Sequence, residues 1–115
     1  MTNLALYETA LWAVPILKKA PEDSSPSLIV TSTTQLYKEP LPALVSLSMV
    51  KSAQRALVLS LNAEVGKDVH VALLSVGGIV SPEAPNLNPD NIAEKAYELY
   101  KQPKAKWQRE LEIHE

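Results

Sequence analysis

Cysteine is absent from this 115-residue chain. That excludes disulfides, a thiolate nucleophile and any cysteine-built metal site. Histidine is scarce: His70 alternates with apolar neighbours in a strand-like run, and His114 stands next to the last residue. A histidine-built metal site is therefore not expected, and no metal is assigned. Basic clusters are missing too, since no run of lysine or arginine exceeds two neighbours and the net charge is -2. Nucleic acid and anionic membrane both demand a basic face, so neither is expected as a partner. Long uncharged apolar runs are also lacking, which argues against a membrane span. The N-terminal stretch MTNLALYETALWAVPILKKAPED has no positive leading region and no small-residue cleavage site, and Glu8 interrupts its apolar run. These absences lead to an expected cytoplasmic location.

What is present is a balanced composition, 46% apolar and 21% charged, sized for one small domain. Leu4, Tyr7, Leu11, Val14 and Leu17 recur at helical spacing, predicting a helix over 3–20 with one apolar stripe and a kink at Pro15. Lys18 and Lys19 suit its C-terminal end, where cations meet the negative pole of the helix dipole. PEDSSPS (21–27) is loop-like, and LIVTST (28–33) reads as a buried strand rich in β-branched residues. QLYKEPLPAL reads as a loop with two prolines. A second long helix is expected over 44–65, with Val50, Ala53, Leu57, Val58, Leu61 and Val65 on one face and Gly66 as its C-cap. DVHVALLSV (68–76) reads as a second buried strand, followed by the loop GGIVSPEAPNLNP. Asn88 as N-cap, Pro89 at the first helical position and Asp90 in the first turn open a last helix, which ends before Pro103. KWQRELEI is compatible with a final strand or a docked tail. Strand, long helix, strand is the pattern of a parallel βαβ unit. Two parallel strands make a poor sheet, because parallel sheets are normally larger and covered on both faces.

Several short motifs fall in an order that resembles one family. TNLALYETALWAVPILKK opens with Asn3, LIVTSTT ends in Thr33 and Thr34, SLSMVK places Lys51 four residues after Leu47, and SVGGIVS carries Gly77, Ile79 and Ser81. In that order and spacing the chain resembles the C-terminal half of the short-chain dehydrogenase/reductases, Rossmann-fold NAD(P)-dependent oxidoreductases. The ending IAEKAYELYKQPKAKWQREL is similar to a divergent, mainly fungal branch, whose setting would be secondary metabolism.

The resemblance implies an α/β, partial Rossmann-like (doubly wound) fold, with residues 1–115 a single truncated domain lacking the N-terminal dinucleotide-binding half. It implies catalytic roles for Thr34, Lys51 and Asn3. Thr34 lies thirteen residues before position 47, where the family's catalytic serine would be, and keeps a hydroxyl. Lys51, Gly77, Ile79 and Ser81 would meet the nicotinamide end of NAD(P).

Two departures count against turnover. Leu47 stands where the family has its tyrosine acid, and general acid catalysis typically contributes about 100- to 10,000-fold. The glycine-rich loop that cradles a pyrophosphate at a helix N-terminus is missing, since Gly66, Gly77 and Gly78 are the chain's three glycines. Ser46 and Ser48 flank Leu47 but are weak acids pointing about 100° away around the helix; Tyr37 is the remaining candidate acid. The expectation is an oxidoreductase-like chain that is inactive by itself. The alternatives are a non-catalytic module docking on an intact homologue, and a truncated gene product. The resemblance also implies a homo- or hetero-oligomer formed through helices 3–20 and 44–65.

Overall fold

The computed structural model describes residues 2–21, 23–39 and 41–115, and of Tyr37 the backbone alone. Its centre is β2 (His70–Val76), with all seven residues but the last buried. β1 (Ser27–Thr33) and β3 (Glu110–Ile113) flank it, both parallel to it, in the order β1-β2-β3. The chain ending left open by its sequence is thus a third strand. Parallel neighbours need crossovers, and α3 (Val45–Val65) and α4 (Pro89–Lys101) lie in the two connections.

Strand alternation sends successive side chains to opposite faces. Val71 and Leu73 join Val58 and Val65 of α3 and Val69, with Leu6, Val14 and Leu17 of α1 (Thr2–Lys18) packed against them. Ala72 and Leu74 join Leu87, Leu99 of α4 and Ile113, with Ile92 and Ala96 alongside. The molecule is therefore α/β: a three-stranded parallel sheet with α1 and α3 on one face and α4 on the other.

Four expectations need correction. The proline-containing stretch after β1 is not all loop: Thr34–Lys38 form a short helix, α2, and Pro42–Leu44 a single 3₁₀ turn. A proline is readily accepted in a first turn, and Pro42 sits at such a position. The α1 stripe is also rotated. Leu6, Ala10, Val14 and Leu17 face inward, whereas Leu4, Tyr7 and Leu11 are about half exposed. α1 is apolar around most of its circumference, so periodicity fixes a helix without fixing its inner face. On α3, Ser48, Gln54, Val58 and Val65 are buried, while Ala53 of the expected face is exposed. Gly66 does follow α3, but with φ of -64° it keeps right-handed backbone rather than the left-handed cap.

By length and composition, Pro42–Val65 is the one helix among the described residues apolar enough to cross a membrane. This helix packs on β2 and carries Lys51 and Arg55, the latter paired with Glu110 of β3. No membrane is evident.

Candidate functional site

The carboxyl ends of parallel strands are where loops can converge on a ligand. Here the register aligns Thr33 with Val76 and Val76 with Ile113, so the three strands end level. Thr34 leaves β1 as the first residue of α2 and is buried, at 4% exposure. Gly77 leaves β2, its N–H donating to the Ile113 carbonyl at 2.7 Å. His114 leaves β3, and its imidazole covers Gly77 so closely that a Cβ there would lie 2.2 Å from Nδ1. Thr34 and Gly77 are thus brought to one edge by the strand register.

Asn3 lies in the first turn of α1, and its Nδ2 donates to the Val50 carbonyl at 3.1 Å. That bond ties α1 to the residue preceding Lys51. Its Oδ1 is buried with no partner. Lys51 is partly buried, and its Nζ donates to Gln54 Oε1 at 3.4 Å, one turn along the same helix. Leu47 is 43% exposed. Its neighbour Ser48 is the inward residue, 5% exposed with an unpartnered hydroxyl. The side chain of Tyr37 lies outside the described residues.

The loop after β2 behaves differently. Ile79 is 87% exposed. Ser81 Oγ donates to Glu83 Oε2 at 2.7 Å, and its backbone N–H donates to the Leu87 carbonyl. The hydroxyl holds the Glu83 carboxyl below its ordinary range. Ile79 and Ser81 therefore belong to a loop from which, among the described residues, no hydrogen bond reaches Lys51 or Thr34.

A charged cluster at the same edge joins side chains of β3 and α2 that no sequence motif links. Glu112 of β3 pairs with Lys38 of α2 through one oxygen and with His114 Nε2 through the other, at 3.0 Å for the latter. Lys38, then His114, holds the Glu112 carboxyl below its usual value. Glu110, on the same face of β3, takes a two-pronged bond from Arg55, Nε to Oε1 at 2.6 Å and a terminal nitrogen to Oε2 at 3.0 Å. Glu115 accepts the backbone N–H groups of Asn86 and Leu87 through its two carboxylate oxygens. The signal was available: Glu110, Glu112 and His114 alternate with apolar residues at strand spacing.

Three concavities stand out among the described residues. One of about 410 Å³ lies towards the amino ends of the strands and includes Lys18, Asp23, Asp68, Lys101 and Trp107. Another of about 450 Å³ runs between β3 and α4, past Asn91, Lys95, Glu98 and His114. A third, of about 390 Å³, is a shallow apolar patch of α3 formed by Val45, Ser48, Met49 and Ser52. Thr34, Lys51, Gly77, Ile79 and Ser81 line none of the three. Among the described residues no group of three or more His, Asp or Glu side chains is placed to hold a metal ion.

The residues present do not fit an NAD(P) molecule. No glycine-rich strand-to-helix turn exists to take the pyrophosphate, His114 fills the space above Gly77, and the Ser81 hydroxyl is committed to Glu83. Comparison with models of known protein families finds no match, and neither the curated proteins nor the solved structures yield one.

Proposed function

We propose that this chain is a non-catalytic module with the architecture of the nicotinamide end of a short-chain dehydrogenase/reductase-like fold, related to NAD(P)-dependent oxidoreductases but without turnover of its own. The observation that carries this reading is the edge at which Thr34 and Gly77 leave adjacent parallel strands in register, with Asn3 bonded to the carbonyl beside Lys51. A doubly wound parent fold and an NAD(P) ancestry account for that arrangement. Leu47 and the missing pyrophosphate loop account for the loss of chemistry.

The test is a titration of the 115-residue chain with NADPH and NADH, followed by nicotinamide fluorescence. No saturable binding up to millimolar concentration is the expected result. Saturable binding would overturn the non-catalytic assignment. A second reading, docking on an intact homologue, is favoured by the apolar surface left open on α1 and α3, where Trp12 and Met49 are 70% and 68% exposed.

A further inference from the structure

Charge is handled differently at the two ends of the sheet. Along β3 Glu110 is paired with Arg55, and at the carboxyl end Glu112 is paired with Lys38 and His114. At the amino end Lys18, Asp23, Asp68, Lys101 and Lys104 share the concavity of about 410 Å³. Among the described residues none of these five has an ion-pair partner. Charges of both signs thus surround a hollow of ligand size without neutralising one another.

One wall is a fixed aromatic platform. Trp107 stacks on the buried His70 with ring centroids 5.0 Å apart and an angle of 7° between the planes. Its Nε1 donates to the Gln102 carbonyl at 3.0 Å. The Gln102 side chain accepts from Gln108 N–H at 2.9 Å and donates to Gln108 Oε1 at 2.5 Å, which closes the base of the 102–108 segment. Trp107 is therefore oriented before any ligand arrives, and binding there costs little ordering. His70 takes one face of the indole and leaves the other to the cavity, where Lys104 Nζ stands 5.9 Å from the ring centroid. Lys101 Nζ lies 4.7 Å from the Tyr97 centroid. The segment 101–109, KQPKAKWQR, carries Lys101, Lys104, Lys106 and Arg109 and no acid, in a chain whose net charge is -2.

The other wall has the opposite sign. Lys18 and Asp23 come from the connection into β1, Asp68 from the turn into β2, and Lys101, Lys104 and Trp107 from the connection into β3. Neighbouring strands lie about 4.8 Å apart, so the entries of β1 and β3 are about 10 Å apart. We propose that this concavity binds a small aromatic zwitterion. Its ring lies on the open face of Trp107, its carboxylate meets Lys101 and Lys104, and its ammonium meets Asp23 and Asp68 across the hollow. Lys18 leaves the acidic wall with one net negative charge, which suits a single ammonium. Charge-assisted hydrogen bonds at the two ends and stacking between them are three separate contacts, each removable by itself. The cavity lies at the end of the sheet opposite Thr34 and Gly77, so the proposal does not depend on the nicotinamide reading.

The test is calorimetric titration of the full chain with para-(aminomethyl)benzoate, with amide NMR shifts in parallel. Saturable binding is expected, moving the Asp68, Lys104 and Trp107 amides and leaving those of Thr34 and Gly77 in place. Benzoate lacks the ammonium and benzylamine lacks the carboxylate, so each should bind roughly tenfold or more weakly. Lys101→Gln combined with Lys104→Gln changes only exposed side chains. That variant should keep the circular dichroism of the parent and lose affinity by a similar factor. Trp107→Leu should abolish binding, and the lysine variant keeps the test decisive if Trp107→Leu unfolds. No saturable binding at millimolar concentration, undiminished affinity for either half-ligand, undiminished affinity in the lysine variant, or shifts centred on Thr34 and Gly77 would each overturn the proposal.

Discussion

Gly77 shows how tightly one residue can be specified without any unusual backbone torsion. No described residue has a positive φ, so the reason for glycine here is space, not conformation. A Cβ would lie 2.2 Å from His114 Nδ1, 2.6 Å from its Cε1 and 3.0 Å from the Ile113 carbonyl oxygen. The imidazole has somewhere to go, because the His114 side chain is 56% exposed; the carbonyl is fixed by the β2–β3 ladder. Gly77→Ala should therefore cost about 1–2 kcal/mol, as overpacking does. In a His114→Ala background the same change should cost markedly less, giving a coupling of about 1 kcal/mol. Urea midpoints of the four proteins in the cycle test this. Equal losses in both backgrounds would assign the strain to the carbonyl and not to the ring. Leu47 supports a second residue-scale expectation. Leu47→Tyr should fold normally, since the side chain is half in solvent, and should show no carbonyl reduction with NADPH. Measurable turnover would mean that the missing acid, not the missing pyrophosphate loop, is the deeper defect.

At the scale of elements, α4 shows how far local signals can reach. Asn88, Pro89 and Asp90 mark its start in the sequence, and in the structure Asn88 Oδ1 accepts from Asn91 N–H at 2.8 Å. The same side chain donates through Nδ2 to the Ala84 carbonyl at 3.0 Å, so it fastens the preceding loop as well as the helix. Asn88→Ala should cost about 1–2 kcal/mol. Asn88→Asp keeps the acceptor and loses the donor, so it should cost less, and urea denaturation of both orders them. If Asp proved as damaging as Ala, the loop bond would outweigh the cap. α1 marks the opposite limit. Its helical period is legible, but with apolar residues nearly all round, the choice of Ala10 over Leu11 as the buried residue depends on α3 and the core beneath it being in place. α2 was hidden by the prolines that follow it. β3 was left open because four residues are too few for periodicity to decide. The candidate site was legible only as positions along a line: Thr34 and Gly77 meet through strand register, and Ile79 and Ser81 remain in their own loop. The cations facing Glu110 and Glu112 come from α3 and α2, and no local pattern in the sequence announces such long-range partners.

For the molecule as a whole, the sheet is fixed at both ends of β3 by groups that titrate. At the entry, His70 is 1% exposed and stacks on Trp107 with ring centroids 5.0 Å apart. Its Nε2 lies 2.8 Å from the Gln108 carbonyl, so that nitrogen donates and Nδ1 is left bare, buried and without a partner. Protonation would add a buried N–H with nothing to accept it. Burial accordingly pushes the His70 pKa below its ordinary 6.5, against a smaller opposing pull from the Gln108 carbonyl. At the exit, Glu112 is held below its ordinary 4.5 by Lys38 and then His114. In both cases the unfolded chain binds the proton more readily, so folding stability falls as pH falls. The His70 contribution is complete above about pH 6.5 and drains away below it, through the lowered folded value. The Glu112 contribution is complete above about pH 4.5 and is lost further down. Urea midpoints measured from pH 8 to pH 3 should therefore decline in two stages. His70→Asn should lower the plateau and flatten the first stage while leaving the second; Glu112→Gln should do the reverse. His70 of β2 holds the segment that enters β3 and Glu112 lies near the exit of β3, so exchange of the β3 amides should quicken in both stages. A first stage that persisted unchanged in His70→Asn would place the titrating group elsewhere and remove His70 as the anchor of the strand's entry.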